Sequence, residues 1–225
     1  MTAVNGAAPV SEIEFREFDS RAEASQALAD ELAWVLTEAL NRKDSAALVV
    51  SGGSTPAPMF SILRELDVTW QLVTVVPSDE REVEPDHPDR NEAMIRRELL
   101  AGPAADARLV SLIPPGEIPD AFDAVVLGMG DDGHTASLFP GSPDLARALQ
   151  SAEKLERLEV PQLGVHRISL TPAALLRGSR VFLLFFGELK RAVFEAALEE
   201  GETATYPVRA VLHQSDVPVD VYWAP

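Results

Sequence analysis

Apolar residues recur along this chain in two alternating rhythms. Between residues 20 and 42, Ala24, Leu28, Leu32, Val35, Leu36, Ala39 and Leu40 fall three or four apart, the spacing of one helix face. Ser20 stands where an N-cap belongs, with Glu23 three residues on as in a capping box. Before this helix, residues 14–18 alternate as a short strand does. After it comes Ala46-Ala47-Leu48-Val49-Val50, a continuous apolar run. Continuous hydrophobicity suits a strand buried on both faces, as in parallel sheets.

The switching continues to the C-terminus. Pro56 suits the first turn of a helix carried by Met59, Phe60, Leu63 and Leu66. Then come a strand over 70–76, a polar loop over 77–90, a helix over 91–100, and strands over 109–113 and 122–127. A Gly-rich loop fills 128–143, and 144–166 reads as a short helix and an edge strand. The remainder predicts a strand over 167–170, a helix opened by Thr171-Pro172, a strand over 181–186, helices over 189–198 and 207–212, and a last strand over 219–223. Strands alternating with helices predict an α/β fold with a mostly parallel sheet covered on both faces. No stretch rich in Gly, Ser or Pro divides the chain, so residues 1–225 read as one domain with residues 1–11 a loose tail.

Composition narrows the field. With 46% hydrophobic and 24% charged residues the chain is ordinary globular protein, not a disordered one. It has no cysteine, which removes disulfide scaffolds, thiol catalysis and Cys-ligated zinc. No apolar run approaches the ~18 residues of a membrane helix, and no basic segment followed by an apolar one marks a signal peptide. A cytoplasmic protein with no membrane partner is the expectation, and a monomer the default. Nineteen Lys plus Arg against 36 Asp plus Glu give a net charge of −17. Such a surface repels phosphate backbones, so no nucleic-acid partner is expected. An anionic small ligand would need a locally positive site.

In open α/β sheets ligands bind beyond the carboxyl ends of the strands, and four segments there carry unusual residues. The first, Ser51-Gly52-Gly53-Ser54-Thr55-Pro56, offers close backbone approach, hydroxyl donors and a helix start, which together suit an anion; a tight, well-capped turn is the plain alternative. It lacks the Gly-Lys-Ser/Thr ending of a Walker loop, and no G-x-S-x-G elbow surrounds its serines. In the second, Asp79-Glu80-Arg81 and Asp86 to Asn91, Asp79 and Arg81 lie nearest a strand end, while His87 reads as structural or exposed. The third, Gly128 to Gly141, spells G-x-G-x-x-G over 128–133, but Pro140-Gly141 cuts it short and no convincing βα unit follows, so it is no dinucleotide site. His134 follows this buried strand with Asp131 and Asp132 just before it. A carboxylate-oriented histidine is a working base near neutral pH. An Asp/His metal site is the rival reading. The three are too close in sequence for a zinc set, and no second histidine is near, so no metal is expected. The fourth pairs Arg167, which opens a strand and reads equally as a surface residue, with Lys190. A lysine in the first turn of a helix is electrostatically misplaced unless an anion is there.

Taken together, SGGSTP (51–56), DER…DHPDRN (79–91), GMGDDGHTASLFPG (128–141) and RISLTP…FFGELK (167–190) resemble the 6-phosphogluconolactonases of the family that also holds glucosamine-6-phosphate deaminases. The match runs from about residue 46 to the end, and DGHTASLFPG is its most specific part. The resemblance implies a three-layer α/β/α, Rossmann-like domain. It implies hydrolysis of 6-phosphoglucono-1,5-lactone to 6-phosphogluconate in the oxidative pentose phosphate pathway, with no metal or organic cofactor. His134 matches the family's general base. Arg81, Arg167 and Lys190, with the loop Gly52, Gly53, Ser54 and Thr55, match positions that meet the phosphate or sugar hydroxyls. Asp79 and Asp132 match acidic positions that orient. Deaminases typically carry a glutamate five residues after the histidine, where this chain has Phe139, and Asp-Glu-Tyr where it has Asp79-Glu80-Arg81, so the lactonase branch is favoured. Two departures stand out. Ser78 replaces a frequent Gly, and Arg90 replaces a frequent Ser, either adding charge near the site or pointing to solvent.

Overall fold

The computed structural model describes residues 12–225, so the expected tail over 1–11 lies outside the described residues. Ten strands are described, numbered in chain order: β1 (Ile13–Glu17), β2 (Ala46–Val50), β3 (Val73–Pro77), β4 (Asp79–Arg81), β5 (Arg108–Leu109), β6 (Ala124–Gly128), β7 (Leu155–Val160), β8 (Val165–Leu170), β9 (Val181–Phe186) and β10 (Val219–Ala224). The α-helices are α1 (Arg21–Lys43), α2 (Ala57–Leu63), α3 (Asn91–Glu98), α4 (Leu145–Gln150), α5 (Pro172–Leu175), α6 (Glu188–Leu198) and α7 (Arg209–Leu212).

Seven strands form one sheet in the order β1-β10-β9-β6-β2-β3-β5, and every pair in it is parallel. Successive side chains on a strand point to opposite faces. Leu48 and Val50, with Phe182 and Leu184, therefore enter the core shared with α1, α2 and α3. Val49, Leu183 and Phe185 enter the second core, shared with α5, α6 and α7. This is why β2 and β9 read as unbroken apolar runs. The two cores with the sheet between them make the three layers.

α1 begins as its sequence predicts, with Ser20 Oγ accepting from Glu23 N at 3.2 Å. It ends at Asp44, whose positive φ of 56° closes the last turn through an N–H bond to Leu40 O. At the amino end of β10, buried Asp220 is held by Arg180 and by Arg16, and Arg180 reaches on to Glu31 of α1 at 2.6 Å.

Chain order places β3 on one side of β2 and β6 on the other, so the sheet has a switch point between β2 and β6. The loops 51–56 and 128–143 leave the carboxyl ends of these two strands, where such folds open a crevice.

Several elements differ from expectation. Residues 70–72 form a 3₁₀ turn that buries Trp70, and the strand begins at Val73. The strand expected over 109–113 shrinks to two residues, because Ser111 Oγ folds the chain by bonding both Ile113 N and Ile113 O at 3.0 Å. The polar stretch 77–90 is not wholly loop. It holds β4, which pairs antiparallel with β8, and β8 pairs antiparallel with β7. This small sheet stands over the crevice, and a three-residue strand of Asp, Glu and Arg carries no hydrophobic rhythm to announce it.

Candidate active site

The crevice is a cleft of about 200 Å³ at the switch point. It is lined by the loop after β2, the loop after β6, β4, β8 and the start of α6. Gly52, Gly53, Thr55, Asp79, Arg81, His134, Arg167 and Lys190 all face it. Two expected residues do not line it. Ser54 is exposed on a neighbouring groove beside Arg97, because Gly53 turns the chain outward at φ +93°. Asp132 lies behind His134 instead and bonds its Nδ1 at 2.6 Å.

The loop after β6 builds the histidine. Gly130 N donates to His134 O at 2.9 Å, and Gly133 N to Gly130 O at 3.1 Å, so the chain closes on itself. Asp132 Oδ1 accepts from His134 N at 3.1 Å and meets His134 Nδ1 at 2.6 Å. Gly130 is required here, since a Cβ would lie 2.1 Å from Nδ1. Burial pushes the Asp132 carboxyl up, but the bond to His134 and the imidazole charge outweigh it and hold the group below its ordinary value. An ionised carboxylate only accepts, so a neutral His134 carries its proton on Nδ1. Its lone pair is then on Nε2, which has no hydrogen-bond partner among the described residues.

The small sheet builds a cationic wall. Arg81 of β4 and Arg167 of β8 are direct cross-strand partners, so two like charges share one face. Such pairs destabilise a sheet. Arg81 donates to Asp89 O at 2.6 Å and to Asn91 Oδ1 at 2.8 Å. Arg167 is buried, at 8% exposure, and its guanidinium makes no hydrogen bond to any described residue. Its nearest acid is Asp79, at 3.8 Å. Nε of both arginines is buried without a partner. Burial pushes the Arg167 guanidinium down from its ordinary range, Asp79 opposes this, and Arg81 adds to it. Arg167 is therefore no surface residue. Lys190 approaches the cleft from α6, with exposed Asp131 at 3.9 Å.

Asp79 is the anchor of the wall. Its two oxygens accept from Ser78 Oγ at 2.7 Å and Ser137 Oγ at 2.5 Å. Ser78 Oγ also meets Ser51 Oγ at 3.0 Å, which ties β2 and the histidine loop to the same carboxylate. Ser78, the departure from the usual glycine, is thus a fully buried bridge.

Three contributors escaped the sequence reading. Asn91 lines the cleft, donates from Nδ2 to Asp79 O at 2.8 Å, and leaves Gly52 no room for a Cβ, which would lie 1.9 Å from Asn91 Oδ1. Glu80 is fully buried and accepts from the backbone N–H groups of Arg81, Asn91 and Glu92 at 2.7 to 2.8 Å. Burial pushes its carboxyl up, partly offset by those three bonds. Ser137 is the third. The polar first residue of α3 was a usable sign for Asn91. Nothing in the sequence distinguishes Glu80 from a solvated acid. Arg90 matches neither expectation, since it is buried and bonds Val83 O at 3.0 Å and Ile113 O at 2.8 Å, with Glu80 at 3.5 Å. It staples the loop beneath the site. Among the described residues no group of three or more His, Cys, Asp or Glu could hold a metal ion, and no helix is long and apolar enough to cross a membrane.

A three-layer α/β domain thus gathers a carboxylate-held histidine and a cross-strand arginine pair in one cleft at its switch point. Residues 19–223 match the family model described as glucosamine-6-phosphate isomerases/6-phosphogluconolactonase. The chain belongs to that family. The 6-phosphogluconolactonase of Pseudomonas aeruginosa is 39% identical over 224 residues, covering 92% of each chain. That of Neisseria meningitidis serogroup A is 36% identical, covering 93% of this chain and 98% of its own. The crystal structure of a 6-phosphogluconolactonase from Shewanella baltica superposes with a TM-score of 0.92 at 36% identity, over 95% of this chain and 98% of that one. The resemblance read from the four motifs and the α/β/α fold it implied are both borne out.

Proposed function

We propose that this chain hydrolyses 6-phosphoglucono-1,5-lactone to 6-phosphogluconate. The observation that supports the reading is the gathering in one cleft of His134, held by Asp132 with Nε2 unengaged, and the cross-strand pair Arg81 and Arg167, whose buried Nε atoms have no hydrogen-bond partner among the described residues. The phosphate docks against Arg167, Arg81 and Lys190 beside the Gly52–Thr55 loop, with Ser54 contributing no side-chain contact. Arginine suits phosphate because its planar fork donates in pairs. This anchoring sets C1 of the ring near His134.

Nε2 of neutral His134 takes a proton from water as the water oxygen attacks C1. Backbone N–H groups of the Gly-rich loops, or an arginine, stabilise the tetrahedral oxyanion. The intermediate collapses, the C1–ring oxygen bond breaks, and the imidazolium returns its proton to that oxygen. Asp132 stays ionised and holds the ring. Asp79 orients Arg167 and the histidine loop. Water and one base suffice, so no metal or organic cofactor enters these steps. The family's deaminase chemistry is the second reading, and Phe139 argues against it by occupying the position of the required glutamate.

The test is lactone hydrolysis corrected for the spontaneous rate. His134→Ala lowers kcat by roughly 10²–10⁴-fold and leaves product affinity near that of the unsubstituted protein. Full activity in that variant removes His134 as the base, and ammonia release from glucosamine 6-phosphate would favour the deaminase reading.

A further inference from the structure

Phe139 shares a loop with His134 and has no polar group to offer a substrate. Leu138 N donates to Thr135 O at 3.0 Å, and Ala136 adopts a positive φ of 48°. This tight reversal lays the ring of residue 139 on that of residue 134. The centroids are 4.0 Å apart and the planes 27° from parallel. The Arg167 guanidinium carbon lies 5.2 Å from the centroid of the same phenyl ring.

A hydrogen bond to Asp132 fixes where Nδ1 points but leaves the imidazole free to swing about that bond. A flat aromatic contact removes the swing. The two constraints together aim Nε2. An aromatic face also carries negative potential and attracts a cation lying over it. When His134 takes a proton, the new imidazolium lies against such a face. We infer that Phe139 is a positioning residue for His134, fixing the plane of the imidazole and stabilising the imidazolium of the hydrolytic step. This rests on the lactonase reading for its role in turnover, but the ring contact itself can be read without turnover.

The charged groups around His134 are Asp132 on Nδ1, Asp131 with Lys190 at the rim, and Arg167 against the far neighbour, Phe139. All of them remain when Phe139 becomes leucine. The attraction to the imidazolium is lost, so the acid limb of kcat/KM moves to lower pH, by about half a unit. Loss of the fixed plane lowers kcat by roughly 10- to 100-fold, with KM within about threefold.

Phe139→Leu and Phe139→Tyr are compared with the unsubstituted protein by lactone kinetics from pH 5 to 9, roughly the range over which a histidine changes charge. In parallel, the His134 Cε1–H resonance, assigned through His134→Asn, is titrated by NMR. The expected result is a Phe139→Leu protein whose resonance leaves its ring-current-shifted position and whose midpoint falls with the acid limb. Phe139→Tyr keeps both near the unsubstituted values, because it retains the aromatic face against His134. The inference is overturned if Phe139→Leu leaves the resonance and midpoint in place, or if Phe139→Tyr falls as far as Phe139→Leu. Absence of turnover in the unsubstituted protein overturns the lactonase reading, and the NMR comparison then still decides the contact.

Discussion

Replacing Arg167 by Met separates binding from folding more sharply than any other single change. Most substitutions of a buried side chain destabilise. This one should not, because the guanidinium is poorly served in the folded chain. It lies opposite Arg81, makes no hydrogen bond to any described residue, and has its nearest carboxylate at 3.8 Å. Facing like charges across strands costs a few tenths to about 1 kcal/mol. A buried donor left unmade costs about 1–3 kcal/mol. Asp79 offsets part of this, and Asp79 itself keeps two serine donors when Arg167 is gone. Arg167→Met should therefore leave the free energy of unfolding within about 1 kcal/mol, or raise it. For a chain of this size that is a Tm change of roughly 2–4 °C. Binding should respond differently. A hydrogen bond to a charged group contributes about 1.5–3 kcal/mol, so KM for the phosphorylated lactone should rise roughly 10- to 150-fold. The assay is calorimetric Tm with and without 6-phosphogluconate, alongside kinetics. The unsubstituted protein gains Tm with ligand and the variant does not. A variant that loses Tm steeply while keeping its KM refutes the reasoning and makes Arg167 a structural residue.

Other sites respond in their own ways. Gly52→Ala sets a Cβ against an Asn91 amide already engaged by Arg81 and Asp79, so Tm falls by the equivalent of about 1–3 kcal/mol and KM rises; an unchanged Tm and KM would refute this. Ser78→Ala removes both the donor to Asp79 and the partner of Ser51, lowering kcat/KM roughly 3- to 10-fold. The double variant with Ser51→Ala should fall by less than the sum of the two single variants, because the hydroxyls share one bond although Ser51 Oγ also accepts from Gly128 N, and simple additivity would break that claim. Burial pushes the Tyr222 phenol from 10.0 up to about 12. The folded state then holds that proton more tightly than the unfolded chain, so its stabilisation is complete below pH 10.0 and is lost as pH rises to about 12. Tyr222→Phe should flatten that alkaline slope in denaturation series, and parallel slopes would count against it.

The parts of this molecule that burial controls were legible from the sequence. β2 and β9 read as two-faced strands because consecutive residues feed two different cores, and α1 showed both its stripe and its cap. The place of His134 in the cleft was legible because it follows a buried strand among glycines, with two carboxylates just before it. What escaped was set by partners distant in sequence. β4 exists because β8 lies beside it, and three charged residues gave no periodic sign of that. Glu80 and Arg90 look like solvated charges until α3 and the Ile113 carbonyl close around them. Ser54 looked like its neighbours until the Gly53 backbone turned it away.

The net charge of −17 and the proposed anion site in the cleft are compatible for a local reason. Three cations face the cleft, and three acids lie close by. Equal numbers would cancel if all were equally available. They are not. Asp79 spends both oxygens on serine hydroxyls, Asp132 is committed to His134, and Asp131 is 76% exposed at the rim. Arg167 has no hydrogen bond to satisfy it. Two of the acids are thus engaged by short bonds and the third is exposed, while Arg167 has only Asp79 at 3.8 Å to offset its charge. Beyond a Debye length of ~8 Å, salt screens the acidic shell. Raising ionic strength therefore relieves repulsion during the approach of an anionic sugar. The final contacts, made where water is largely excluded, weaken much less.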